Sequence, residues 1–182
     1  MMLISHKYPD AYIRYLAEFH GTRDYFECHE ILEEYWKEHP GDEQAQLWHG
    51  LIQIAVGQYH LRRGNREGAR KMLRSAWERL SLPLLEQAGL DGGLLRRQLD
   101  EAASLLERGE GIPYSGWMLP IRDLELAAAC KERCAAEGLD WCGDIVAGDE
   151  LIHRHLTRDR SEVVQAREQS LRLKRAAARG GG

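Results

Sequence analysis

The sequence predicts an all-α fold, a closed bundle of about five helices with a C-terminal helical extension. Apolar residues recur at helical spacing in almost every segment, and caps and stops punctuate the chain at helix-length intervals. No run alternates apolar and β-branched residues as a half-buried strand would. Across 182 residues, 43% are hydrophobic and 30% charged, enough apolar side chain for a core and too much for global disorder.

Each element has its own start and stop. Pro9-Asp10 opens a first helix that runs to about His20 and breaks at Gly21-Thr22. Asp24 stands at the N-cap of a second, with Glu27 three residues on in a capping-box pattern and Pro40-Gly41 as the stop. Asp42 is expected to cap a third helix ending at Gly64-Asn65. Asn65 caps a fourth, with Glu67 in its electropositive first turn and Pro83 expected to kink it before Gly89. A fifth spans about Leu94 to Arg108, completing a bundle over residues 1–108.

Residues 109–182 form the extension. Gly111 to Pro120 is too rich in glycine, proline and aromatics for a helix and reads as an extended connector, with Trp117 and Met118 expected to pack on the bundle. A sixth helix follows from about Asp123 to Glu137, helical sequence resumes at Asp149, and a last helix begins at Ser161. The terminal glycines are expected to fray.

The net charge of −4 argues against a whole-protein polyanion binder, but the charge is uneven. Nine acidic side chains lie between Glu18 and Glu43 against Arg23 and Lys37. From Leu156 onward Arg158, Arg160, Arg167, Arg172, Lys174, Arg175 and Arg179 outnumber Asp159, Glu162 and Glu168. Weak, salt-sensitive polyanion binding by that basic helix is the most its composition supports, since it lacks interleaved aromatics.

The start has no basic region leading into an apolar stretch, and Leu51 to Tyr59 falls far short of the ~20 residues of a membrane span. With four cysteines and no export signal, reduced thiols and a cytoplasmic location are expected.

The second helix carries the strongest signal. Tyr25, Cys28, Ile31, Leu32 and Tyr35 form its apolar face, while Phe26, His29, Glu33 and Trp36 make a separate stripe on one border. The third helix is apolar almost all round through Leu47, Trp48, Leu51, Ile52, Ile54, Ala55, Val56, Tyr59 and Leu61, as a central buried helix requires. Its exception is a narrow polar strip of His49, Gln53 and His60, flanked by Gly50 and Gly57. Glycine inside a helix costs roughly 1 kcal/mol relative to alanine, so two of them point to a close neighbouring helix or ligand. Buried polar groups need partners, and the expectation is a direct hydrogen bond joining His29, Glu30 or Glu33 to His49, Gln53 or His60.

Phe26-Glu27-Cys28-His29-Glu30-Ile31-Leu32-Glu33-Glu34-Tyr35-Trp36, then Gly50-Leu51-Ile52-Gln53-Ile54-Ala55, then Tyr59-His60-Leu61-Arg62-Arg63-Gly64-Asn65 and Gly68-Ala69, resemble the domain-of-unknown-function 309 family over roughly residues 10 to 108. The remainder, with Leu119-Pro120-Ile121 and Arg158-Asp159-Arg160-Ser161, is similar to the longer form of Bacillus-type bacteria. The resemblance implies a small closed helical bundle without an assigned activity. Its signature positions fall on Phe26, His29, Glu30, Glu33, Trp36, Gly50, Gln53, Gly64 and Asn65.

His29-Glu30-Ile31-Leu32-Glu33 departs from the zincin motif by placing Glu where the second imidazole belongs, so a metal there needs His49 or His60 as a further ligand. Di-iron bundles use Glu-x-x-His twice, and Glu150 to His153 is a single copy. Cys130, Cys134 and Cys142, with His153 or His155, lack the paired knuckles of a structural zinc site and read as buried small hydrophobes. No nucleophile elbow and no phosphate-cradling loop is present, and no cofactor is expected. The favoured expectation is an adaptor or structural module that docks a protein or nucleic acid through the C-terminal extension, with the polar cluster only fixing the bundle. The alternative is a small-molecule hydrolase or ligand-binding bundle using His29, Glu30, Glu33, His49, Gln53 and His60, with or without a divalent metal.

Overall fold

The computed structural model describes residues 7–141 and 172–175. The chain divides into two compact units, Met1–Asp144 and Ile145–Gly182. In the second, residues 172–175 are helical with exposed side chains, two of them arginines. The helices expected from Asp149 and the start of the last one at Ser161 lie outside the described residues, as do Cys142, Glu150, His153 and His155.

Among the described residues the regular structure of the first unit is helical, apart from an isolated antiparallel bridge between Leu90 and Ile121. Its elements are α1 (Asp10–His20), α2 (Tyr25–Glu38), α3 (Ala45–Arg62), α4 (Arg66–Arg79), α5 (Leu82–Gln87), α6 (Gly92–Glu107) and α7 (Leu124–Ala136). Short-range chemistry sets most of the boundaries. Asp24 accepts the Glu27 N–H, Asn65 the Gly68 N–H, Asp91 the Leu94 N–H and Asp123 the Glu125 and Leu126 N–H groups. Gly64 takes φ +77°, the left-handed turn that ends α3.

Two boundaries differ from expectation. Pro83 does not kink a long fourth helix. Ser81 caps a new helix by accepting the Leu84 N–H, and Pro83 sits in its first turn, where its missing N–H costs nothing. Residues 10–107 therefore hold α1 to α6, with the short α5 where the end of a longer fourth helix was expected. Asp42 does not cap the third helix either: its carboxylate accepts the Gln44 N–H and the Trp48 indole N–H, and α3 begins at Ala45.

Helix α3 runs through the middle, with α2 and α4 packed along it and α6 beyond α4. Helix α1 packs against α2 and α7, and its Tyr15 hydroxyl donates to the Leu51 carbonyl of α3. Trp48, Leu51, Ile52 and Ala55 are buried as expected. Val56 and Tyr59 are only half-buried, because the last turns of α3 emerge at the α2 border. Gly50 and Gly57 receive a helix rather than a ligand. A Cβ at Gly50 would stand 2.5 Å from Leu80, and one at Gly57 2.8 Å from Leu73.

The connector crosses the bundle in extended form and pins itself by Tyr114 and Leu119, both buried. Trp117 packs half-buried, but Met118 does not pack as expected and stands 37% exposed. In extended chain successive side chains alternate, so burying Leu119 turns its neighbour outward. His20 anchors this end: its Nδ1–H donates to the Leu16 carbonyl and its Nε2 accepts the Leu119 N–H. On α7, Cys130 and Cys134 are buried against α1, and desolvation pushes the Cys130 thiol up to about 12.

Two measurements follow from this packing. Gly50→Ala improves helix propensity yet drives a methyl into Leu80, for a net loss of about 1–2 kcal/mol in urea denaturation. Introduced into Leu80→Ala, the same change should become stabilising; a loss of equal size in both backgrounds would refute the contact. His20 supplies the second. Burial lowers its pKa to about 4, opposed by the Leu16 hydrogen bond and helped by the Arg23 charge. Between that value and the ~6.5 of an unfolded histidine, the unfolded chain binds the proton and the folded chain does not. Stability should therefore fall as pH drops from 7 to 4, with His20 contributing ~3 kcal/mol. His20→Gln, which keeps one donor and one acceptor, should flatten that fall in a denaturation series over pH.

Candidate functional site

Asp24 sets the phase of α2, and that phase carries Phe26, His29, Glu33 and Trp36 along its border with α3. His29 Nε2 lies 2.7 Å from Glu33, whose other oxygen is 2.8 Å from Lys37 Nζ. The Lys37 hydrogen bond, then the charges of His29 and Lys37, hold the Glu33 carboxyl below its usual range against some desolvation. The Phe26 ring sits 5.8 Å from His29 and 6.3 Å from Tyr59 of α3, and the Trp36 ring 5.3 Å from His49 at the other end of α3. The two helices thus run antiparallel with an aromatic contact at each end. Phe26 is 36% exposed, and the His29 and Glu33 side chains 28% and 31%. Glu30 stands exposed beside them.

His29, Glu33, Gln53 and His60 bond to partners other than those expected across the two polar strips. His29 bonds to Glu33 on its own helix. Gln53 Nε2 instead donates to Ser75 Oγ on α4 at 2.8 Å, and its Oε1 is buried without a partner. His60 Nδ1 faces Asn65 Nδ2 at 3.2 Å, and because Asn65 spends its oxygen on the Gly68 cap, its amide donates to the imidazole. Burial, with Arg79 near one and Arg63 near the other, lowers the pKa of His49 and His60. The physical reason for the divergence is distance. The α3 glycines draw α4 into backbone-close contact, whereas α2 is held off by large aromatic rings.

What the structure assembles is therefore a surface ridge of Phe26, His29, Glu33, Trp36, His49 and Tyr59, with Gln53 turned away and His60 at its end. Tyr59 was expected in the core, and Ser75 carried no signal because a lone serine in a helix marks nothing until its neighbour is known. Among the described residues no three His, Cys, Asp or Glu side chains are gathered to hold a metal ion.

The family described as Domain of unknown function (DUF309) matches residues 12–72. The uncharacterized protein YpuF of Bacillus subtilis (strain 168) is 42% identical over 168 residues, covering 90% of this chain and 95% of YpuF. The chain belongs to the DUF309 family. The DUF309 match takes in α1 to α3 and the first half of α4, hence every residue of the ridge, and stops short of Ser75. The likeness to YpuF continues far beyond it, through most of the chain. Among the described residues no helix is long and apolar enough to cross a membrane.

The Gln53–Ser75 pair gives a direct check on the α3–α4 contact. Ser75→Ala strips Gln53 of its buried partner and should cost about 1–3 kcal/mol. Adding Gln53→Leu should return most of that loss, since both polar groups are then gone. A double variant as unstable as the two singles summed would show that the pair is not coupled.

Proposed function

We propose that this DUF309 protein is an interaction module that docks a basic amphipathic segment of a partner protein on the α2–α3 ridge. One observation carries the reading: Phe26, His29, Trp36, His49 and Tyr59 line up along a helix–helix border that reaches solvent instead of closing into the core. Aromatic side chains held half-exposed on rigid helices supply contact area at little conformational cost, which is the composition of interface anchors. The flank of the ridge selects the partner's charge. Glu30, Glu34 and Glu38 stand exposed on α2, with Glu33 at the border, so basic side chains meet complementary potential there.

The hydrolase or ligand-pocket reading calls for a recess beside the polar residues. Shallow concavities lie around Tyr35, His39 and Asp42 at the end of α2, and between α1 and α7 at Ile13 and Ala129.

Fluorescence anisotropy with a synthetic Lys/Leu amphipathic helical peptide tests the proposal on the full chain. Binding should weaken as salt rises, and about tenfold or more on Phe26→Ala or on the pair Glu30→Lys and Glu34→Lys. These side chains are exposed, so circular dichroism of the variants should match the parent. Equal binding of a Glu/Leu peptide, or indifference to the substitutions, would overturn the docking surface.

A further inference from the structure

We propose that Arg23 is an oxyanion-binding residue, taking a carboxylate or phosphate group beneath the strap formed by residues 111–119. Arg23 lies in the turn between α1 and α2 and is 2% exposed. Its Nη1 donates to the Trp117 carbonyl, while Nε and Nη2 are buried with no hydrogen-bond partner. Those two N–H groups share one edge of the guanidinium, the fork that receives two oxygens of a single carboxylate or phosphate. A guanidinium cannot shed its proton to escape burial, and buried charges are as a rule paired.

The described residues supply no such pair. Among the described residues no carboxylate forms an ion pair with Arg23, Arg62 or Arg66. The strap from Gly111 to Leu119 that lies over these three arginines has no charged residue at all. It touches them in turn. A Cβ at Gly111 would stand 2.7 Å from the Arg66 guanidinium, and the Tyr114 ring centroid is 5.7 Å from Arg62. Gly116 covers Arg23, where a Cβ would lie 3.2 Å from Cζ, 3.4 Å from Nη2 and 3.5 Å from Nε. The last two are the unpartnered nitrogens. Gly116, which carries no Cβ, lies over the fork.

Arg23 is also the one non-glycine among the described residues with positive φ, at 58°, a conformation that costs energy in a side-chain-bearing residue. Arg62 reinforces the placement by donating to the Arg23 carbonyl and lying 4.7 Å over the Tyr25 ring. The strap is anchored by side chains and not by a backbone ladder. Among the described residues it makes no backbone-to-backbone hydrogen bond; it is held by the Tyr25–Tyr114 hydroxyl pair, the Trp117 carbonyl and the Leu119 N–H on His20. Lifting it at Gly116 opens the fork to an anion, with Arg62 at hand to add charge.

Thermal unfolding of the full chain in inorganic phosphate, in acetate and in chloride at matched ionic strength tests this assignment. A saturable rise in Tm with phosphate, acetate or both is expected, and which of them acts identifies the oxyanion class. Arg23→Lys, which keeps the charge and loses the fork, should raise the half-saturating concentration at least tenfold. Gly116→Ala presses a methyl on the fork and should do the same in a chain that folds. The Arg23 Nε–H resonance of the unsubstituted protein supplies a readout free of substitution and should shift on adding the effective anion. Equal effects of chloride, an unmoved resonance, or saturation unchanged in both variants would overturn the proposal.

Discussion

The close approach of α4 to α3 at Gly50 and Gly57 governs much of what surrounds it. With no side chain at either position, Leu80 and Leu73 reach the α3 backbone, and a methyl at either glycine would collide with them. Two glycines weaken an isolated helix, so α3 persists because it is buried on nearly every side and not through its intrinsic propensity. Intimate contact on the α4 side also settles the polar chemistry: Gln53 finds Ser75 because Ser75 is within reach and α2 is not. The α2 side keeps the spacing set by Phe26, Trp36 and Tyr59, and that spacing leaves their rings partly in solvent. One tight interface and one wide interface on the same helix thus produce a packed core and an accessible ridge.

Beside this apolar core lies a second kind of order, in the turn and strap. His20 is held neutral by a donor bond on one nitrogen and an acceptor bond on the other, and it ties the strap to α1. Arg23 and Arg62 lie under the same strap, bonded to backbone carbonyls instead of carboxylates. Polar groups buried in this way are costly unless every one is satisfied, and the Arg23 fork is not. The strap region retains an unmet demand for negative charge.

The two features have opposite electrostatic character. Helix α2 presents carboxylates beside aromatic rings, suited to a cationic surface, while the strap covers guanidiniums suited to an oxyanion. A chain with a net charge of only −4 therefore sorts its charge into regions of opposite sign.

Helix class, the caps at Asp24 and Asn65, the left-handed Gly64 and the buried face of α3 were all determined by the sequence itself. Each depends on residues within about one or two helical turns, where the chain's geometry is known in advance. The ridge was legible in part, since Phe26, His29, Glu33 and Trp36 share a border by periodicity alone. Its completion by Tyr59 and His49, the transfer of Gln53 to Ser75 and the new helix started at Ser81 depended on how neighbouring helices pack. The inward-turned Arg23 left no local trace, because a lone arginine after Gly21-Thr22 looks like any turn residue. Those outcomes were decided by tertiary structure, since a side chain's partner is chosen by distances of a few ångströms between segments far apart in sequence.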